Sequence, residues 1–378
     1  MTNYKIYQTR SQSKSKAMVY YLIDVITSFF IKNKPVETKN PENILIIRND
    51  HIGDVVLCSQ VFREIKKKYP SSKITAIVSP LSKSLLEKNS HVDKIITLDR
   101  FSINRIINSL FRYFKVLKEI KKEKFDVGID ITASLPNIIF LLWMPGIKKR
   151  VSYFNVSGGR AFLTNSLEYQ RRDHTIKFDA DLVEKGLNFK IENYWPEIIL
   201  DKADKKLVND FLKENNLKKY ICICPGATNT KKQWSIEKFD ALIKRLNINL
   251  KDYKIILCGG KNDSKIINHL SKNKNTFPLL NFNLRLLSHL FKKSQMVIAN
   301  DGGALHIAWV SGAKVLALWG RIDLTTIRPL KRSIIIHHQN KKSNVDNLMD
   351  LITVNEVERA CYSLIKNEPR PIIPNEIR

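Results

Sequence analysis

The 378-residue chain is long enough for two α/β domains with cores of their own. Its 43% hydrophobic and 26% charged residues are those of a globular protein, which excludes a disordered or collagen-like chain. The net charge of +28 points to something anionic, but no RNP, zinc-finger or basic-helix pattern gathers that charge, which excludes a sequence-reading role on nucleic acid.

Five cysteines, at 58, 222, 224, 258 and 361, form no CxxC and are odd in number. That pattern fits a reducing compartment and neither a zinc site nor a disulfide framework. Residues 1–16 are polar and basic, and Ala17 to Ile31 is an apolar run interrupted by Asp24. A spanning helix needs roughly 20 apolar residues, so this run is too short, and no signal-type cleavage site follows it. It is read as packing on the body of the protein, with Tyr and Phe on several sides. The membrane interface beside its Lys and Arg neighbours is the alternative.

Ile44 to Arg48 reads as a buried strand, followed by the loop Asn49 to Asp54 and a helix from Val55 to about Tyr69. Further strands are expected at Lys73 to Val78, within Asp93 to Leu98, and at Phe125 to Ile131. An amphipathic helix covers about Ile103 to Glu123, and Ile138 to Trp143 reads as a helix over the sheet. Such alternation describes a parallel sheet with helices on both faces. The loop after the first strand lies where open α/β sheets place ligands, although one glycine and no GxGxxG leave out the dinucleotide fingerprint. Asp54 at the helix start reads as a first-turn carboxylate or as a general base. Asp179-Ala180-Asp181 resembles a DxD metal motif, but residues two apart in a helical pattern do not share a face, so no metal site is assigned.

Leu187 to Leu200 reads as a connector, after which a second α/β unit begins. Tyr220 to Cys224 is a strand, and Pro225 to Trp234 after it offers backbone amides, the Thr228 hydroxyl and cations at its mouth. Such a loop can hold phosphate, and an ordinary solvated basic loop has the same composition. Lys254 to Cys258 is the next strand, ended by Gly259-Gly260. Met296 to Ala299 and Lys314 to Trp319 are strands on either side of Asn300-Asp301-Gly302-Gly303 and the helix Ala304 to Val310. Two glycines and free N–H groups at a helix start suit a diphosphate, and Asp301 capping a tight helix entrance fits the same residues. Three ligand-type loops thus fall at the carboxyl ends of strands in two domains, where a single cleft could collect them.

The blocks ILIIRNDHIGDVVLCSQVFREIKKKYP, FDVGIDI, PGATNTKKQW and NDGGALHIAWVSGAKVLALWG, in this order and spacing, resemble glycosyltransferase family 9, the ADP-heptose:lipopolysaccharide heptosyltransferases and their relatives. The resemblance covers about residues 42 to 330, and MDLITVNEVERA resembles the family's closing helix. It implies an α/β fold of GT-B architecture: two Rossmann-like domains whose parallel sheets face an interdomain cleft. The expected divisions are 1–41, a basic amphipathic extension and linker, and 42–190, the acceptor domain. Residues 191–345 would form the nucleotide-sugar domain and 346–378 the closing helix and tail.

The resemblance further implies inverting, metal-independent transfer of a sugar, heptose from ADP-heptose, to a lipopolysaccharide-core or other surface-glycan acceptor. No cofactor is implied beyond the nucleotide sugar itself. Asp54 matches the general base, Lys232 and Thr228 match groups on the donor diphosphate, and Gly302 and Gly303 match amides on the phosphate. Asp301 matches the carboxylate on the donor sugar, His306 the histidine of the following helix, and Gly260 with Lys261 a nucleotide-binding position. Two departures stand out: Gly302 occupies a Thr or Ser position, and Lys261 a position where heptosyltransferase I places a glutamate on the ribose. Lys261 keeps open a donor with another nucleotide, or a protein acceptor. The +28 charge keeps open a non-enzymatic protein that binds nucleotide or polyanion. The expected site of action is cytoplasmic, peripheral at the inner face of the membrane, in contact with anionic headgroups.

Overall fold

The computed structural model describes residues 4–8, 13–170, 173–320, 324–338 and 347–366. The expected boundary at 345/346 and the tail after Lys366 lie outside them. The chain divides between Glu197 and Ile198 into two compact units.

Unit 1 opens with α1 (Lys14–Phe30) and continues with β1 (Asn43–Arg48), α2 (Ile52–Leu57), α3 (Ser59–Lys68), β2 (Lys73–Val78) and α4 (Lys83–Leu86). Then come β3 (Lys94–Thr97), α5 (Ile106–Glu123), β4 (Val127–Asp130), a π-helical segment (Asn137–Trp143), β5 (Lys149–Tyr153), β6 (Asn165–Leu167) and α6 (Thr175–Leu187). The strands form one parallel sheet in the order β3-β2-β1-β4-β5-β6. One helix was expected from Val55 to Tyr69, and the structure breaks it at Cys58.

β5 and β6 were not foreseen. β5 begins Lys149-Arg150, which reads as solvated, yet both residues are buried. The Arg150 guanidinium donates to the carbonyls of Phe162 and Ile147, each at 2.6 Å. Hydrogen-bonded burial of this kind defeats a reading based on hydrophobicity.

Leu45, Ile47 and Ile77 of one sheet face share a core with α5, the π-helical segment and Ala17 of α1. Gly128 makes this approach possible, because a Cβ there would lie 2.5 Å from the Leu142 side chain. On the opposite face α6 packs on β5, and a Cβ at Gly186 would meet Val151 at 2.4 Å. The expected packing of the N-terminal helix is observed. Buried Asp24 accepts from the Tyr7 hydroxyl at 2.7 Å and from the amides of Gly159 and Arg160 at 2.6 and 2.9 Å. After α6 no helix or strand occurs before α7, and this connector is tied to unit 1: Arg63 donates to the Asn193 and Trp195 carbonyls.

Unit 2 begins with α7 (Lys202–Glu214), whose capping box joins Asp201 and Asp204. There follow β7 (Tyr220–Cys224), α8 (Ile236–Asn249), β8 (Lys254–Gly259), α9 (Ser264–Leu270), β9 (Thr276–Leu280) and α10 (Leu284–Lys293). The chain goes on through β10 (Val297–Asn300), α11 (Gly303–Val310), β11 (Val315–Trp319), β12 (Ser333–His337) and α12 (Val354–Lys366). This sheet is also parallel, in the order β12-β11-β10-β7-β8-β9. The closing helix belongs to the same core, with Val357, Ala360 and Cys361 buried beside Trp234 and Phe239.

Candidate active site

In each unit the strand order reverses at one place, between β1 and β4 in unit 1 and between β7 and β10 in unit 2. Connections leave such a point in opposite directions and open a crevice at the carboxyl ends of the two strands. The expected site residues gather at these two points, except Gly260 and Lys261, which follow β8.

In unit 2 the loop after β7 and the loop after β10 are drawn together by one residue. Buried Asn300, the last residue of β10, donates to the Pro225 carbonyl at 2.8 Å and accepts from the Trp234 amide at 3.2 Å. Trp234 is itself fully buried and donates its indole N–H to the Ile352 carbonyl. With both ends of the Pro225–Trp234 loop fixed, the 3₁₀ turn Thr230–Lys232 brings Lys232 over Asp301, Nζ to Oδ2 at 3.0 Å. The Lys232 side chain is 22% exposed and that of Asp301 2%, so the cation stands at the mouth and the carboxylate below it.

Gly302 is the N-cap of α11 in an extended conformation, φ −164°. A Cβ there would meet nothing nearer than the Asn300 carbonyl at 3.9 Å. Gly302 is therefore not demanded by backbone geometry, and the space beside it stays open in front of the first amides of α11. His306 lies on the second turn, buried, and its Nδ1 accepts from the Trp309 indole at 3.3 Å. Thr228 is exposed in the loop after β7. Gly260 and Lys261 are exposed in the loop after β8, where the Gly260 amide donates to Asp263 at 2.8 Å.

In unit 1 Asp54 sits in the first turn of α2, with His51 as an N-cap that makes no side-chain cap bond. The Asp54 carboxylate is 27% exposed and 3.5 Å from the guanidinium of Arg48. Arg48, the last residue of β1, is buried among carboxylates: Asp179 of α6 at 3.4 Å and Asp50 at 3.4 Å, besides Asp54. It also donates to the Ile131 carbonyl at 2.9 Å, just past β4. Burial alone would lower its pKa, but the attraction of Asp179, Asp50 and Asp54 prevails and holds it well above its ordinary value. The Arg48 charge is thus permanent and fixed by three elements. Asp181, two residues from Asp179, is half-buried and points away from this cluster. Among the described residues no group of three or more His, Cys, Asp or Glu could hold a metal ion.

Beside Arg48 lies a second buried network. Asn49 and Asn137 are linked at 3.0 Å, the Tyr113 hydroxyl donates to Asn137 at 2.8 Å, and Asn137 donates to Asp130 at 3.1 Å. Asp130, at the end of β4, is completely buried, and burial pushes its carboxyl up to about 7 against the opposing bonds from Ser134 and Asn137. Cys58 is likewise buried, and the loss of solvent pushes its thiol well up, which makes it a packing group and not a nucleophile.

Sequence reasoning passed over Arg48 and Asp263, discounted Asp179 with its DxD triplet, and placed Asn300 in a loop without a role. Arg48 and Asn300 share a signal that could have found them, a polar residue closing an otherwise apolar parallel strand. Asp263 has another, a carboxylate three residues after a glycine at a helix start. It also fixes glycine at 226, because a Cβ there would lie 2.1 Å from its carboxylate.

Two Rossmann-like units, one with a carboxylate held at its switch point and the other with a lysine before a helix N-terminus, define an α/β protein of two doubly wound domains. The model of glycosyltransferase family 9 (heptosyltransferase) matches residues 113–350, more than half of the chain, and the chain belongs to that family and is a glycosyltransferase. The matched stretch contains Lys232, Asp301 and α11, while Asp54 lies before it. The chain is 28% identical over 283 residues to a putative glycosyltransferase of Haemophilus influenzae, covering 71% of this chain and 79% of that one. It is 21% identical over 303 residues to lipopolysaccharide heptosyltransferase 3 of Escherichia coli, covering 75% and 85%. Among solved structures, the family 9 glycosyl transferase of Veillonella parvula matches with a TM-score of 0.73 at 19% identity, covering 87% of this chain and 99% of that one. The ADP-heptose heptosyltransferase II of E. coli matches at 0.70 and 18% identity, covering 86% and 99%. These likenesses bear out the α/β, GT-B fold class.

Proposed function

We propose that the chain transfers heptose from ADP-heptose, with inversion, to an acceptor of the lipopolysaccharide core, acting as a peripheral protein at the inner face of the cytoplasmic membrane. The observation that carries this reading is the Lys232–Asp301 pair at the head of α11, in a family whose named relatives include lipopolysaccharide heptosyltransferases. Unit 2 would hold the donor: its diphosphate meets Lys232, the Thr228 hydroxyl and the amides of Gly302 and Gly303. The sugar meets Asp301, with His306 behind it. Unit 1 would supply the base.

In the reaction an acceptor hydroxyl oxygen attacks the anomeric carbon from the side opposite the diphosphate. The bond from that carbon to the phosphate oxygen breaks, its electron pair leaves with ADP, and the hydroxyl proton goes to the Asp54 carboxylate. The leaving charge is met by Lys232 and the positive end of α11, so the chemistry draws on a protein cation where other enzymes use a metal. Arg48, 3.5 Å from the Asp54 carboxylate, would hold it in place for that proton transfer.

The exposed Lys261 favours a second reading, a donor carrying another nucleotide, because a cation stands where a ribose hydroxyl would be read by an acceptor group. Calorimetry against ADP-, UDP- and GDP-sugars separates the two. Tightest binding of ADP-heptose is expected. Preference for a UDP or GDP sugar would establish the second reading, and binding of none would overturn both.

A further inference from the structure

We propose that the outward faces of α1 and α5 form one docking surface for an anionic lipid bilayer, on which the protein lies with both helices in the plane of the membrane. This rests on the reading of the chain as a peripheral membrane enzyme and adds which surface makes the contact and what it recognises.

α1 is apolar on two sides. Its inner side is fixed to unit 1 through Ala17 and Asp24, the latter holding Tyr7 and the turn Gly159-Arg160. Its outer side carries Met18, Val19, Leu22, Ile26, Phe29 and Phe30, all exposed, with Phe30 83% so. At about 100° per residue these six fall within roughly a third of the helix circumference, opposite Asp24. A surface helix ordinarily turns polar residues outward. Here the orientation is locked by a buried carboxylate, so the apolar face is presented, not left over.

α5 and the turn before it also present an apolar face. Ile103, Ile106, Ile107, Phe111 and Phe114 are exposed, Ile107 at 78%. The two helices are linked beneath those faces through half-buried and buried rings. Phe114 meets Phe140 of the π-helical segment at 5.6 Å, and Trp143 at the end of that segment meets Phe162 at 5.1 Å. Phe162 belongs to the Arg160–Phe162 turn on which α1 packs. α5, the π-helical segment and α1 therefore lie side by side over one sheet face. Isolated surface apolar residues need no explanation, but two such clusters on neighbouring helices mark an interaction site.

Charge decides the partner. Lys14 and Lys16 stand at the start of α1 and Lys32 and Lys34 just after it, while α5 continues from Phe114 into exposed Lys115, Lys118, Lys121 and Lys122. An apolar band bordered by lysines matches acyl chains beneath anionic headgroups. A second copy using the same face would set lysine against lysine. Among the described residues no helix is long and apolar enough to cross a membrane, so the contact is in-plane.

The test is co-sedimentation of the full chain with vesicles of phosphatidylcholine alone and of equimolar phosphatidylcholine and phosphatidylglycerol. Two variants accompany it, Phe29→Ser/Phe30→Ser/Phe111→Ser and Lys115→Glu/Lys118→Glu. The wild type should partition onto the anionic vesicles, the apolar variant at least about tenfold less, and the charge variant less on anionic vesicles only. Calorimetric affinity for the ADP sugar should stay the same in both variants. Wild-type binding equal on the two vesicles, or apolar variants that bind like wild type, would overturn the proposal. So would a dimer in solution that the apolar substitutions dissociate. Vesicle binding that persists in a chain binding no nucleotide sugar would uphold the docking surface and sink the proposed transfer.

Discussion

At the switch point of unit 1 a buried arginine stands among three carboxylates, whereas at that of unit 2 a part-exposed lysine stands against one. Desolvation makes the first arrangement nearly impossible to exchange: removing one partner from such a cluster leaves a buried charge uncompensated. The second can be exchanged. Lys232 reaches water, and a phosphate arriving at the head of α11 can take over the ammonium while Asp301 turns to another donor such as a sugar hydroxyl. On the proposed reading one unit would keep its charges to orient a group, and the other a pair that a ligand opens. The surfaces differ in the same direction. The exposed apolar band lies in unit 1, while unit 2 has only Leu207, Ile248 and Leu330 as large exposed apolar residues among those described.

If that division of labour is right, substitutions at the two points should separate catalysis from binding. Asp54→Ala should lower turnover by on the order of 10²–10⁴ and leave the calorimetric affinity for the donor unchanged. Lys232→Ala should weaken donor binding by roughly tenfold or more, the worth of a charge-assisted hydrogen bond. Should Asp54→Ala weaken donor binding as much as it slows transfer, its role would be structural and the contrast would fail.

The clustered charges of unit 1 make the next largest effect one of stability. Arg48→Ala removes the buried cation that Asp50, Asp54 and Asp179 share, and should cost about 3–5 kcal/mol. Hydrogen exchange read by mass spectrometry should show β1 and β4 losing protection while β7 and β10 keep theirs. Equal loss in both units would mean that they unfold as one, and the comparison would have to be made on the whole chain.

The main frame was legible from sequence because apolar runs ending in polar loops repeat along the chain: β1, β2, β4, β7, β8, β10 and β11 all have that form. The places of Asp54, Lys232 and Asp301 followed from it. What could not be read were residues whose role depends on partners far along the chain. Arg48 and Asp179 are 131 positions apart and meet only once α6 has packed. Asn300 ties down a loop that begins 75 residues earlier. β5 hid behind two basic residues, Lys149 and Arg150, the second buried against the carbonyls of Ile147 and Phe162, and the short β6 has hardly any pattern to detect.

The pH dependence of stability should also run in opposite directions around Asp130 of unit 1 and Asp240 of unit 2. Asp130 titrates at about 7 in the fold and near its ordinary 3.8 unfolded. Between those values the folded state holds a proton that the unfolded state has released, so its contribution is full below about pH 4 and is lost as the pH rises through 7. Asp130→Asn should flatten that decline, by on the order of 2–4 kcal/mol at about pH 8. In unit 2, Lys244 and Asn273 hold the Asp240 carboxyl below its ordinary range. Its contribution is present above the unfolded value and is lost as the pH falls through the folded one. Exchange protection of β4 peptides should therefore fall toward alkaline pH and that of α8 peptides toward acid. Parallel profiles would refute the assignment.

The smallest effect is expected at Gly302, and it bears on why unit 2 can receive a ligand. Two glycines border its switch point for different reasons. At Gly226 a side chain would collide with the Asp263 carboxylate, which is already engaged by the Gly260 amide, so Gly226→Ala should destabilise by about 1–3 kcal/mol. At Gly302 the backbone is extended, as any residue can be, and a Cβ would enter open space. Gly302→Ala should change stability by no more than about 0.5 kcal/mol, and Gly302→Ser should fit as well. If the open space is where the donor diphosphate sits, the serine hydroxyl has an acceptor to meet, and donor affinity should hold or rise by up to roughly tenfold, one hydrogen bond's worth. A serine that folds normally but excludes the donor would mean that the diphosphate needs the volume itself, placing it closer to the backbone of α11 than Lys232 alone requires.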